Sequence, residues 1–543
     1  MKKTTNLLIF FLLFQTLFGT ELDQRPNFLI ILVDDLGFSD IGCYGSEIDT
    51  PNLDKLAHNG LRFSQFYNTA KCHASRICLL TGQYYLQAGN DSLKNAVTSA
   101  EILSNAGYHT MMSGKWHLDK EPTDFGFERY FGHLSGATNY YSGDDTFRLN
   151  GKPWEVPQKG FYTTRTKVDF AIDFLKESQS IEKPWFLYLS LNAPHAPLQP
   201  LEEDYKKYLG KYDAGWDVIR NQRLKKQAEL GIFKNPVKPA NRPNHVPSWE
   251  ELDPEWRVSE SRRLSAVSAI IDRIDREIGR LIHEVEQAGD LDNTMILFVS
   301  DNGASPFGKN PLKVTQEPYN ENVKWRDSTG TAWMRNAPFK FYKQNQHEGG
   351  ISTPAILHWP AGLKMKSGSI EHEPAHLVDV LPTMIEMSGA ENPQEWPERK
   401  LNQMSGTSLL PILEGKDFER QNPIHFQYAY NRALRHGKWK LVSIADSPWE
   451  LYNMDLDRSE TNNLIESHPE IVHKMSQQWD QIATESFGKP SAFKVKNNFS
   501  HDNYFNKRWT DYLIKGSEKK SPKKKNDTAI ETSQVSSTPS KDG

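Results

Sequence analysis

The stretch Asn27-Phe28-Leu29-Ile30-Ile31-Leu32-Val33 is almost unbroken in apolar residues and then turns abruptly polar at Asp34-Asp35-Leu36-Gly37. A short continuous apolar run of this kind fits a strand covered on both faces, as in a parallel sheet sandwiched between helices. Two further stretches repeat the design. Trp185-Phe186-Leu187-Tyr188-Leu189-Ser190-Leu191 gives way to Asn192-Ala193-Pro194-His195-Ala196-Pro197. Thr294-Met295-Ile296-Leu297-Phe298-Val299 gives way to Ser300-Asp301-Asn302-Gly303. In open sheets of this class ligands bind beyond the carboxyl ends of the strands. Each carboxyl end here carries residues capable of chemistry, which is the first indication of an enzyme. The expected fold class is α/β, a large mostly parallel sheet flanked by helices.

Helices fit between these strands. The clearest covers 259–288, where Val267, Ile270, Ile274, Ile278, Leu281 and Val285 recur at three- and four-residue spacing, with Gly289 as a C-cap. A second spans 377–388. Pro382 is tolerated only in a first turn, so that helix is expected to start near Leu381. Residues 234–254 are rich in Pro and Asn and read as a surface excursion, and 304–338 lack periodicity, as functional or mobile loops do. Beyond about Asn422 the pattern changes to short strands and turns such as Trp439-Lys440-Leu441-Val442, implying a smaller antiparallel-sheet subdomain at the C-terminal end.

The expected organisation is a signal peptide over 1–20, a main domain over 25–420, the C-terminal subdomain over 421–515 and a disordered tail over 516–543. Lys2 and Lys3 precede an apolar run from Leu7 to Phe18, which is shorter than the roughly 20 residues needed to span a bilayer. Export to the periplasm or medium is therefore expected, with no membrane span in the mature chain. The tail is rich in Lys, Ser and Thr with almost nothing apolar. Of 543 residues 37% are hydrophobic and 25% charged, with a formal net charge of −4. A balance so near neutral offers no electrostatic reason for a nucleic-acid partner.

Adjacent strand residues point to opposite faces, so Asp34 and Asp35 can converge only where the strand ends and the backbone turns. Asp301 and Asn302 stand at the matching end of another predicted strand. Together they form an all-oxygen set suited to a hard cation such as Ca²⁺, although the same residues also serve as turn and cap chemistry. The chain has three cysteines, Cys43, Cys72 and Cys78, so at least one is unpaired; a buried thiol or a Cys72–Cys78 loop disulfide are the plain alternatives. In Cys72-His73-Ala74-Ser75-Arg76 a cysteine near a helix start has a cation four residues on, the setting of an activated nucleophile.

This segment, continued by Thr81-Gly82, resembles the signature of the type I, formylglycine-dependent sulfatases of the alkaline phosphatase superfamily. Further blocks resemble the family in its order. They are Gly114-Lys115-Trp116-His117, Ala193-Pro194-His195-Ala196-Pro197, and Asn336-Ala337-Pro338 followed by Lys343 and Glu348-Gly349-Gly350. The resemblance implies a sulfuric ester hydrolase whose Cys72 is oxidised to formylglycine by a maturase, with Ca²⁺ held by Asp34, Asp35, Asp301, Asn302 and the modified residue 72. It implies catalytic roles for Cys72, Arg76, Lys115, His117, His195, Asp301 and Lys343. Where the family most often has Pro, this sequence has Ala74, which implies a radical-type maturase that accepts Ala. Loops at 132–150 and 304–338 carry Tyr, Trp, Arg and Asp suited to a sugar pocket, so a sulfated carbohydrate is the expected substrate. The alternatives are a phosphonate or phosphodiester hydrolase of the same superfamily and an unmatured, non-catalytic glycan-binding relative. His73, His109, His347, Cys43 and Cys78 are expected to be structural or surface residues.

Overall fold

The computed structural model describes residues 25–308, 312, 315–444 and 447–487. The expected leader (1–20) and tail (516–543), and the end of the expected C-terminal subdomain, lie outside the described residues.

The three apolar runs are neighbouring parallel strands at the centre of an 11-stranded sheet. Asn27–Asp34 lies between Trp185–Pro194 and Thr294–Ser300, all fully buried. His109–Lys115 and Arg129–His133 extend the parallel set on one side. On the other, Ser352–His358 runs antiparallel to both Thr294–Ser300 and Leu61–Tyr67. Side-chain alternation explains the unbroken hydrophobicity. Leu29, Ile31 and Val33 pack into one core with the helices Thr163–Ser178 and Pro254–Gln287. Phe28, Ile30 and Leu32 pack into a second core with the helix Cys72–Thr81.

The long helix begins at Pro254, five residues before its expected start. Proline at the first helical position lacks a hydrogen-bond donor that has no partner there anyway, so it opens the helix. Gly289, with φ of +79°, follows its end as expected. A 3₁₀ turn Leu377–Asp379 leads into Val380–Ser388, which puts Pro382 in the first turn. Two loop readings need correction. Residues 234–253 are irregular apart from a 3₁₀ turn at Trp249–Glu251, but partly interior, since Val246 and Trp249 are buried and the Trp249 and Trp216 rings meet at 5.1 Å. Within 304–338 a short helix, Thr329–Arg335, is capped by the Ser328 side chain.

The smaller C-terminal sheet is antiparallel and runs in chain order through Ile424–Tyr428, Asn431–His436, Trp439–Ser443 and Glu450–Asn453. A helix that the strand-and-turn reading missed, Pro469–Phe487, covers one face with Met475, Trp479 and Ala483 against Leu434, Leu441 and Leu451. Among the described residues no helix is long and apolar enough to cross a membrane.

Candidate active site

The parallel register sets Val33 opposite Ser300 and, after an irregularity, Asp34 opposite Pro194. The chain leaves the strand through Asp35, whose φ of 70° is left-handed and turns its carboxylate back toward the same edge. Asp34 Oδ2 accepts from Lys115 Nζ at 2.6 Å, and Asp35 Oδ1 accepts from Lys343 Nζ and from Asn302 Nδ2, the latter at 2.6 Å. Asp301 Oδ2 accepts from Arg76 Nη2 at 2.8 Å and its Oδ1 from the Asp35 amide at 3.3 Å. His195 Nε2 stands 3.7 Å from Asp35 Oδ2. Sequence segments up to about 300 residues apart thus meet at one sheet edge.

Among the described residues, three buried oxygens here have no hydrogen-bond partner: Asp34 Oδ1, Asp35 Oδ2 and Asn302 Oδ1. An unsatisfied buried acceptor is costly, and a hard cation satisfies several together, so the donor set fits Ca²⁺. Atoms of Asp34, Asp35 and His195 lie within 4.8 Å of one another. Asp301 differs, because both of its oxygens already receive protein donors. Burial works against ionising Asp34, but Lys115, His195, Lys343 and Arg76 hold it well below the usual carboxylate range. Asp301 goes the other way, pushed well above that range by burial and by the charge of Asp34.

Cys72 opens its helix and is 2% exposed. Burial acts to raise its thiol, yet Lys115, Lys343 and Lys71 outweigh it and bring the group down to about 6. Arg76 is one turn further on, at 0% exposure. Its Nη1 reaches Ser190 Oγ and the Lys115 carbonyl and its Nη2 is taken by Asp301, which leaves only Nε without a partner. His117 follows Lys115 by two residues, in a left-handed conformation at φ 62°. Burial, then Lys115 and Arg76, push its imidazole well below the ordinary range, and its Nδ1 has no partner. His195 Nδ1 bonds the Ala196 carbonyl at 2.6 Å.

Two glycines are required by close approach. A Cβ on Gly114 would sit 1.8 Å from the Ser190 carbonyl oxygen, and one on Gly303 1.9 Å from that of Gly349. Every sequence-predicted site residue (Asp34, Asp35, Cys72, Arg76, Lys115, His117, His195, Asp301, Asn302 and Lys343) belongs to this one constellation. Residues outside that set support it. Ser190 holds Arg76, and Asn336 Oδ1 accepts from the Ala304 amide, fixing the exit beyond Asn302. Arg335 Nη2 donates to the Asp35 carbonyl at 2.9 Å. Lys167, pushed well below the lysine range by burial and by Lys115, donates to Asn192. Of these only Asn336 lay within a recognised family block, while Ser190 and Asn192 lay in the second apolar run and its polar end. Arg335, expected with Trp325 and Trp333 of its loop to suit a sugar pocket, is instead buried with them and paired with Asp40 and Asp327.

The cysteines are free, which removes the Cys72–Cys78 disulfide alternative. His109 pairs with Glu128 at 3.1 Å, and His347 with Glu450 at 3.2 Å, as structural residues do. Glu348 of the Glu-Gly-Gly block lies elsewhere. Its buried carboxylate meets Lys440 at 2.7 Å and Arg458, both of the C-terminal part.

Comparison with known proteins agrees with this architecture. Residues 26–390 match the family described as Sulfatase, and 339–485 match the family described as N-sulphoglucosamine sulphohydrolase, C-terminal. An uncharacterised sulfatase of Schizosaccharomyces pombe is 31% identical over 529 residues, spanning 84% of this chain and 93% of that relative. The N-acetylglucosamine-6-O-sulfatase of Bacteroides thetaiotaomicron is 27% identical, spanning 82% and 83%. Among solved structures, one in complex with its substrate D-glucosamine-2-N,6-O-disulfate superposes with a TM-score of 0.60 at 22% identity, over 85% of this chain and 98% of that one. With two thirds of its length matched by the family model and a relative 31% identical over 84% of it, the chain belongs to the sulfatase family, a family of sulfuric ester hydrolases.

Proposed function

We propose that this protein removes sulfate from a sulfated sugar, on a polysaccharide or its oligosaccharides. The observation that carries this reading is the buried cationic set of Lys115, Lys343 and Arg76 around Cys72 and paired aspartates, a site built to receive an anion. The sugar specificities named for relatives, N-acetylgalactosamine-6-sulfatase and N-acetylglucosamine-6-O-sulfatase, support a carbohydrate substrate.

Residue 72 is a cysteine here, and its Sγ marks the position of the formylglycine oxygens. Formylglycine made from Cys72 would supply, as its hydrate, the nucleophile toward sulfur, and Ca²⁺ would be held by Asp34, Asp35, Asp301, Asn302 and that residue and would supply positive charge to the site. Lys115 and Lys343 neutralise the remaining charge. Arg76 fixes Asp301, which accepts the proton of the attacking hydroxyl. His195 gives a proton from Nε2 to the departing alcohol oxygen. His117, kept neutral by its surroundings, would take a proton from the hydroxyl at residue 72.

Ala74 is the third residue of its helix. Amides of a first turn have no intrahelical acceptor, so a proline at this position would forfeit no backbone hydrogen bond. A radical-type maturase that accepts Ala is the one proposed to act. The apolar start at 1–20 supports export.

Co-expression with a maturase that accepts Ala tests this. The peptide containing Cys72 should lose about 18 Da, the thiol-to-aldehyde change. The protein should then release sulfate from sulfated mono- or oligosaccharides faster than phosphate from matched esters. Sulfate release at full rate from unmodified Cys72 would overturn the mechanism, and faster phosphate or phosphonate release would favour the related hydrolases. Sugar binding without turnover by fully modified protein would point to the non-catalytic relative.

A further inference from the structure

We propose that Lys71 and the tip of the C-terminal hairpin, Tyr428 and Tyr430, form an outer subsite for a second, anionic sugar next to the one being desulfated. The proposal rests on the sugar-sulfate reading above and narrows it to oligosaccharides carrying more than one anionic group.

Cys72 is flanked by Lys71 and His73. His73 meets His117 with ring centroids 5.8 Å apart and Tyr428 at 5.9 Å, so a line of rings leads from the reacting residue to the C-terminal sheet. Lys71 Nζ lies 6.0 Å above the Tyr428 ring, within cation–π range. Lys71 is half-buried, and among the described residues it has no carboxylate partner. The hairpin turns through Ala429, at φ 50°, and Tyr430, which is 60% exposed.

The tip is held in place. Asn431 Nδ2 donates to the Gln344 carbonyl at 2.5 Å, and the Gln344 amide donates to the Ala70 carbonyl at 2.9 Å. One chain of bonds thus ties the hairpin to the segment bearing Lys71 and Cys72 and to the segment bearing Lys343, so little ordering cost remains on binding. The chemistry of the patch names its occupant. Tyrosine rings offer an apolar face with a wet polar end, which suits the C–H face of a sugar ring. An ammonium with no carboxylate partner among the described residues offers a salt-sensitive contact for a sulfate or carboxylate on that ring.

Isothermal titration of the full-length protein with unmodified Cys72 reads binding without turnover. The probes are hexasaccharides from heparin, chondroitin sulfate and carrageenan, each against its sulfated monosaccharide. The wild type should bind at least one hexasaccharide about tenfold more tightly than the monosaccharide, which is about 1.4 kcal/mol, with the advantage shrinking as salt rises. Lys71→Met and Tyr428→Leu should each remove about fivefold of that advantage. Lys71→Met, at a half-buried surface position, keeps the test valid where a thermal melt finds Tyr428→Leu unfolded. No hexasaccharide advantage in the wild type, or an undiminished advantage in folded variants, overturns the proposal. Failure of the catalytic reading is seen separately, as matured protein that binds these sugars and releases no sulfate.

Discussion

Asp34 and Asp35 are chain neighbours, yet the left-handed turn at Asp35 brings both carboxylates to one edge, each with its own lysine and each with an oxygen left over. At this scale the proposed roles are separable. Cys72→Ala should abolish sulfate release by about 10⁴-fold or more while leaving the fold intact, as read by steady-state assay and thermal melt. His195→Ala should cost roughly 10²–10³-fold on a sugar sulfate, whose alcohol needs a proton to leave. On an aryl sulfate with a good leaving group the loss should be much smaller. Equal losses on both would reassign His195 from proton donor to a structural or sulfate-binding role.

Elements position these residues and also tie the two sheets together. Glu348, Lys440, Arg458 and Glu460 form a buried charge cluster across the junction between them. Removing one partner of such a cluster strands the others, at about 3–5 kcal/mol. Glu348→Gln should therefore lower the melting temperature substantially at neutral pH. Burial opposes the Glu348 charge, but Arg458 and Lys440 prevail and bring its carboxyl down to about 2, from an ordinary 4.5. A depressed folded-state value stabilises above the unfolded value and stops doing so as pH falls through the folded one. The stability gap between wild type and Glu348→Gln should accordingly close between about pH 4.5 and 2. A gap constant with pH would show that the cost is lost packing. The block Glu348-Gly349-Gly350 was legible by family resemblance, but its docking work was not, because Lys440 and Arg458 are about a hundred residues away in sequence. The helix Pro469–Phe487 did carry a local signal, since Val472, Met475, Trp479 and Ala483 recur at the three- and four-residue spacing that marks 259–288.

For the molecule as a whole, a cation at the orphaned oxygens would bind the folded state alone. Added Ca²⁺ should raise the melting temperature in a concentration-dependent way, by about 2.7 kcal/mol of stability at a hundredfold excess over Kd. Chelation should reverse the shift together with sulfate release, and a melting temperature indifferent to both would remove the ion from the account. Much of this molecule was determined by its sequence alone. Continuous apolar runs declare strands buried on both faces, their polar ends point to a candidate site, and blocks such as Cys72-His73-Ala74-Ser75-Arg76 carry the family resemblance, because these signals are local along the chain. What only the tertiary structure decided is which groups meet. It commits Arg76 to Asp301 and Ser190, leaves unpartnered oxygens on Asp34, Asp35 and Asn302 among the described residues, and brings Tyr428 beside Lys71. Strand register and the docking of one sheet on another bring together residues that lie far apart in the chain, and no local pattern records that distance being closed.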